Sequence, residues 1–316
     1  MGLERIMIID MHTHAGRPRR TGDVDRGVLA TMRPAGVAAA VVSAIGDIPM
    51  IRRNRDTGRL EKFRDPNPGE CLEAVEGYLT SFEKSGTRIA REPDEIRADD
   101  PALVLAIEGC DFLEGDLNRL DAMEARGVRS SIQLTHYLVN ETGDIQTAPP
   151  VHGGLTAFGA DVVRRMNTSR IILDVAHCSE DTVRGVAGVA TRPFLCTHAN
   201  LKEPGHKNGD HPRFIGPDYA RMVVESGGVV GAWISVLVQE KLPGMIRHLF
   251  RMIDALGIDH VGIGSDLPAG VASTEMPDFS RHPEIVAALR DRGLHQEEVE
   301  KVCSGNWLRV LRAVRA

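Results

Sequence analysis

The first apolar run of the chain, IMIIDMHTHAG at positions 6–16, ends in two histidines, His12 and His14. Residues two apart on a strand point the same way, so both imidazoles are expected at one strand end with Asp10 on their side. Later apolar runs end in the same kind of group: Glu108 after VLAI, His136 after QLT, His177 after DVA, His198 after LCT and Asp266 after GIGS. Zinc and similar divalent ions take nitrogen and oxygen donors of this kind, and four imidazoles with a carboxylate suit two of them. Glu108, just before Gly109, is the carboxylate placed to reach both. Two ions close together would hold a shared hydroxide at neutral pH and polarise a carbonyl, so hydrolysis of an amide or ester is the reaction class expected.

Something must bring these residues together. Short apolar, β-branched runs recur at 6–10, 38–45, 102–109, 130–136, 170–177, 193–200, 228–235 and 260–266. Helix-compatible stretches lie between them, among them 115–127, 157–167, 181–190 and 245–257. Near-continuous apolar strands alternating with helices predict a parallel sheet covered on both faces. Eight such units predict an α/β fold of the (β/α)8 TIM-barrel type, as a single domain over 1–316. In that fold the carboxyl ends of the strands meet at one mouth, so seven residues scattered along the chain become one expected site.

Composition narrows the function classes. The 316 residues are 42% hydrophobic and 26% charged, an ordinary globular balance with material for a large core. A formal net charge of -6, with basic residues dispersed, predicts neither nucleic-acid nor membrane partners. Five scattered cysteines (Cys71, Cys110, Cys178, Cys196 and Cys303) fit neither a zinc ribbon nor a disulfide framework and read as reduced, buried thiols. The first residues lack the pattern of a secretion leader, so a cytoplasmic protein is the expectation.

Other motifs point nowhere. No G-x-G-x-x-G opens a helix after a strand, and GIGSD lacks the last glycine of a serine nucleophile elbow. His152, His206, His211, His248, His260, His282 and His295 read as structural or surface residues; His206 and His211, in the loop after the sixth strand, stay open as substrate contacts. Glu108 also reads as a loop salt-bridge partner and Asp266 as a helix N-cap.

The ordered pieces AIEG, LTHYLVN, GLTAFGADVVRRMNTSRIILDVAHCS, THAN, HPRFIGPDYARMVVESGGVVG, GIGSD and SGNWLRVL resemble the renal or membrane dipeptidase family, a branch of the amidohydrolase-type barrels. The resemblance spans nearly the whole chain. It implies a binuclear zinc hydrolase that cleaves dipeptides or dipeptide-like acids with a bridging hydroxide. His12 would bind the first zinc, Glu108 would bridge, and His177 and His198 would bind the second. His136 would stabilise the oxyanion, a task worth a few kcal/mol in similar sites. Asp266 would carry the proton to the departing amine, and Arg213 in HPRF would clamp the substrate carboxylate. Relatives of the family often dimerise, which leaves a homodimer open here.

The resemblance has two departures. The family usually shows His-x-Asp where this chain has His12-Thr13-His14. Exchanging an anionic ligand for a neutral one raises the charge of the site by one and makes the first metal more electrophilic. Other amidohydrolase branches pair His-x-His with the eighth-strand aspartate, which would bring Asp266 closer to that metal. The second departure is DLPAG after the eighth strand, where the family commonly has an aromatic residue and an acid. Both favour, as an alternative, a relative acting on another small amide, a lactam or an ester.

Overall fold

The computed structural model describes residues 6–15, 24–56, 60–206, 209–234, 241–268 and 276–316. Its parallel strands are β1 (Ile8–Thr13), β2 (Val37–Ile45), β3 (Ala102–Glu108), β4 (Ser131–Gln133), β5 (Ile172–Asp174), β6 (Cys196–Leu201), β7 (Val230–Ala232) and β8 (Val261–Ile263). The sheet runs β6-β7-β8-β1-β2-β3-β4-β5, with Phe214–Ile215 added outside β6 and Arg88–Ile89 beside β3. Its two ends meet through Leu195, which donates to Leu173 O and accepts from Val175 N, both at 2.8 Å. The strands thus curl into the barrel expected from the sequence.

The longest strands explain themselves. All nine residues of VAAAVVSAI in β2 and all seven of ALVLAIE in β3 are buried, as a strand covered on both faces requires. Their register sets Ile45 opposite Glu108, so the loop after β2 starts beside the carboxylate. On the other side of the ring, β6, β7 and β8 come close because Gly231 and Gly264 lack side chains. A Cβ on either would overlap the carbonyl oxygen of Thr197, the residue before His198. Outer helices, including Glu70–Glu83, Ala157–Thr168, Pro217–Glu225 and Leu242–Leu256, supply the apolar cover. The C-terminal helix Asn306–Arg315 packs Trp307, Val310, Leu311 and Val314 with Ile9, Val41, Val104 and Ile172 of the strands.

Three expectations are corrected. The strands are shorter than the apolar runs, so His136 and His177 stand three residues beyond β4 and β5, and His12 lies inside β1. The eight-unit reading is also incomplete: between β2 and β3 lies a two-stranded antiparallel hairpin, Ile51–Arg53 with Leu60–Lys62. Asp10 does not join the histidines: a register irregularity between Asp10 and Thr13 breaks the alternation. Its carboxylate instead accepts from His282 Nε2 at 2.9 Å and from Ser265 N at 2.9 Å. All five cysteines are buried and unpaired. Ser235 of the seventh run and Ala269-Gly270 of DLPAG lie outside the described residues. Among the described residues no helix is long and apolar enough to cross a membrane.

Candidate metal centre

At the carboxyl end of the strands, five imidazoles and two carboxylates converge. Glu108 is the last residue of β3, and Gly109 follows with φ +92°, a left-handed conformation that glycine adopts without strain. A Cβ on Gly109 would also stand 3.2 Å from the Cβ of His136, so the glycine lets the loop after β4 close over the carboxylate. His177 and Asp266 adopt left-handed backbone as well, at φ +67° and +62°. Such conformations are costly for side-chain-bearing residues and gather at functional sites. Asp266 N donates to His12 O at 2.9 Å and His14 N to Leu267 O at 2.7 Å, which locks the loops after β8 and β1 together.

The two oxygens of Glu108 face different partners. Oε2 lies 3.5 Å from both His12 Nε2 and His14 Nε2. Oε1 lies 3.2 Å from His177 Nε2 and 3.5 Å from His198 Nε2 and His136 Nε2. His14 Nε2 reaches Asp266 Oδ1 at 2.9 Å, and His12 Nε2 approaches the same oxygen at 3.8 Å. His177 and His198 point their Nε2 atoms at each other across 3.0 Å. Three groups of donor atoms therefore form: His12, His14 and Asp266; His12, Glu108 and His198; Glu108, His136 and His177.

These residues fit divalent cations by a test the structure itself provides. Each is buried, yet His12 Nε2 and Glu108 Oε2 have no hydrogen-bond partner among the described residues. Buried polar atoms without partners are costly, and a cation between them would remove that cost. The far side of several rings is held in place: His14 Nδ1 faces Ser43 O at 3.3 Å, and His198 Nδ1 faces Thr197 Oγ1 at 3.1 Å. Such contacts fix the ring and leave Nε2 for the ion.

Electrostatics divides the imidazoles. Burial, with Arg213 next, holds His177 well below the usual histidine range; burial and the charge of His12 do the same for His198. Both are neutral and have lone pairs to give. Burial opposes a charge on His136, but Asp47 and Glu108 outweigh it and raise the group from 6.5 to about 9. Burial likewise opposes the charge of Glu108, and His136 and His12 overcome it, keeping the carboxyl well below its ordinary range.

Arg213 is also buried. Its NH1 donates to Gln146 Oε1 at 2.6 Å, and its guanidinium lies 5.2 Å from the ring of Trp233. Its Nε has no hydrogen-bond partner among the described residues. Of the two histidines left open, His206 is exposed, and His211 turns its Nδ1 to the N–H of Arg213 at 3.2 Å; neither joins the cluster around Glu108.

Two residues of the site escaped the sequence analysis. Asp47, two residues past β2, accepts from His136 Nδ1 at 2.6 Å. Trp233, just past β7, donates its indole N–H to Asp266 Oδ2 at 2.9 Å. The strand-end rule that found the histidines points to both once it is applied to the second and seventh strands.

Comparisons with known proteins bear on the family and the fold. A family profile described as membrane dipeptidase (peptidase family M19) matches residues 70–316. An uncharacterized protein in the pqqA 5′ region of Klebsiella pneumoniae is 31% identical over 227 residues, covering 67% of this chain and 82% of that one. Dipeptidase tcpJ of Claviceps purpurea is 30% identical over 223 residues, covering 67% of this chain. The match spans about half of that fungal protein, 51% of its length. Among solved structures, the probable dipeptidase PvdM from Pseudomonas aeruginosa superposes with a TM-score of 0.82 at 20% identity, over 99% of this chain and 96% of that one. A metallo peptidase from Rhodobacter sphaeroides, liganded with a phosphinate mimic of the dipeptide L-Ala-D-Ala, gives 0.79 at 22% identity, over 98% and 100%. These structures share the barrel.

Proposed function

The chain belongs to the membrane dipeptidase family of metallopeptidases, and from that premise we propose that it hydrolyses the amide bond of dipeptides or dipeptide-like acids with two divalent cations, zinc by preference. One observation carries the reading: the oxygens of Glu108 face two separate sets of imidazoles, as a carboxylate between two ions would. His12 and His14 would hold the first ion, and Asp266 Oδ1 stands beside them, 2.9 Å from His14 Nε2. His177 and His198 would hold the second, and Glu108 both. When bound, two such ions supply a hydroxide at neutral pH and polarise the scissile carbonyl.

The remaining groups have tasks of their own. His136 turns its Nε2 toward Glu108 and, through it, toward the centre, where it would donate to the oxygen that gains charge during attack. Asp266 would take the proton of the attacking water at Oδ1, since Oδ2 already accepts from Trp233, and pass it to the leaving amine. Arg213 brings a buried guanidinium whose Nε has no hydrogen-bond partner among the described residues, which supports a substrate carboxylate as its partner.

A second reading keeps the site and changes the substrate. His14 provides a neutral ligand 2.9 Å from Asp266, and a more electrophilic first ion suits another small amide, a lactam or an ester. A panel of L,L and L,D dipeptides, a lactam and an ester, run on wild type and His14→Asp after zinc restoration, separates the two. Dipeptide cleavage by the wild type supports the first reading. Lactam or ester cleavage by the wild type, with dipeptides cut only by His14→Asp, supports the second. No turnover by a metal-loaded wild type would sink both.

A further inference from the structure

We propose that Asp47 is a positioning residue for this hydrolysis, holding the ring of His136 so that Nε2 is aimed at the reaction centre; the role depends on the chain being a hydrolase of the kind described above. Asp47 is fully buried, and its two oxygens serve one loop. Oδ1 accepts from His136 Nδ1 at 2.6 Å, and Oδ2 accepts from the backbone N–H of Tyr137 at 3.0 Å. The carboxylate is itself fixed, since Asp47 O accepts from Met50 N at 2.9 Å and Asp47 follows the strand whose Ile45 pairs with Glu108.

A buried carboxylate is costly unless both oxygens are satisfied, and here the loop after β4 satisfies them. The backbone contact alone would anchor that loop. The ring contact does something more: an imidazole can turn about its Cβ–Cγ bond, and a partner at Nδ1 selects one orientation. In that orientation Nε2 lies 3.5 Å from Glu108 Oε1, and the ring packs edge-on against His177 with centroids 4.6 Å apart. The backbone contact also places Tyr137, whose ring stands 4.6 Å from that of His136 and 5.1 Å from that of His177. A donor fixed before the reaction avoids reorganisation at the moment charge develops. Asp47 touches neither substrate nor ion in this scheme; it acts through His136.

The test compares wild type, Asp47→Asn and His136→Gln in the zinc-loaded protein. The first readout is the low-field ring N–H proton that a short imidazole–carboxylate contact gives in the NMR spectrum, assigned by its loss in His136→Gln. The second is the split between kcat and KM, with zinc content measured alongside. For Asp47→Asn we expect the low-field proton to disappear and kcat to fall by about 10- to 100-fold, the usual cost of losing an orienting partner. Zinc content and KM should stay near the wild-type values. A merely structural anchor would lower zinc content and folded fraction while sparing the kcat of the folded molecules, and that result overturns the role. Persistence of the low-field proton in Asp47→Asn, or its loss with kcat unchanged, overturns it as well. A zinc-loaded wild type that cleaves nothing sinks the hydrolase reading itself, whereas an active wild type with an unimpaired Asp47→Asn sinks the role alone.

Discussion

Replacing His248 by glutamine should remove a pH dependence of stability that the fold builds in. His248 lies in the helix Leu242–Leu256, is buried, and accepts the backbone N–H of Leu201 on Nε2 at 2.9 Å. Leu201 ends β6, the strand that carries His198. Burial first, and the charge of Arg251 second, lower the pKa of His248 from 6.5 to about 4. The native ring is therefore neutral where an unfolded one has begun to take up a proton. The sign follows: this contribution is complete above pH 6.5 and is lost as pH falls toward about 4, because the unfolded state binds the proton first. At about 1.4 kcal/mol per pH unit, the whole window is worth about 3 kcal/mol. Roughly 2 kcal/mol of it should go between about pH 7 and about pH 5. Carboxylates titrate over the same range, so the quantity to follow is the difference between wild type and His248→Gln. Urea unfolding of both chains, stripped of metal and followed by tryptophan fluorescence, gives that difference at each pH. A wild-type advantage that stays constant from about pH 7 to about pH 5 would refute the assignment of His248 as a neutral acceptor.

Two further perturbations probe the site. Arg213→Met should raise KM for dipeptides by about 10- to 100-fold with little change in kcat, as expected when a charge-assisted contact to the substrate carboxylate is lost. The same variant should treat a C-terminally amidated dipeptide as the wild type does; an equal loss on both substrates would show that Arg213 acts on the fold instead. Trp233→Phe removes the indole N–H from Asp266 Oδ2 while keeping an aromatic ring, and kcat should fall about tenfold or more, the equivalent of one hydrogen bond to a charged group. Unchanged kcat in Trp233→Phe would mean that the indole does not orient Asp266.

The eight-strand pattern was legible because parallel strands buried on both faces read as apolar runs, and the best examples, β2 and β3, are buried throughout. The clustered residues were legible for a related reason: a barrel turns sequence position at strand ends into spatial proximity, so the sequence alone gathers His12, His14, Glu108, His136, His177, His198 and Asp266. What stayed hidden depended on contacts between loops. Alternation predicts the direction of Asp10 only in a regular strand, and the irregularity between Asp10 and Thr13 sends it to His282. Asp47, two residues past β2, carries no motif of its own. The strand-end rule marks its place, but its role, a contact to His136 across 89 residues, becomes visible only in the fold. Trp233 read as strand core, because an indole shows its polar edge only when a carboxylate such as Asp266 is placed against it. The short hairpin at Ile51–Arg53 and Leu60–Lys62 was missed because three-residue strands give too little periodicity to see.

The central claim is that Glu108 stands between two ions. Metal titration of the stripped chain, with bound ions counted directly and turnover read at each point, tests it most plainly. The account predicts two ions per chain, turnover that rises until the second is bound, and loss of at least one ion in Glu108→Ala. Saturation of both binding and turnover at a single ion would contradict it.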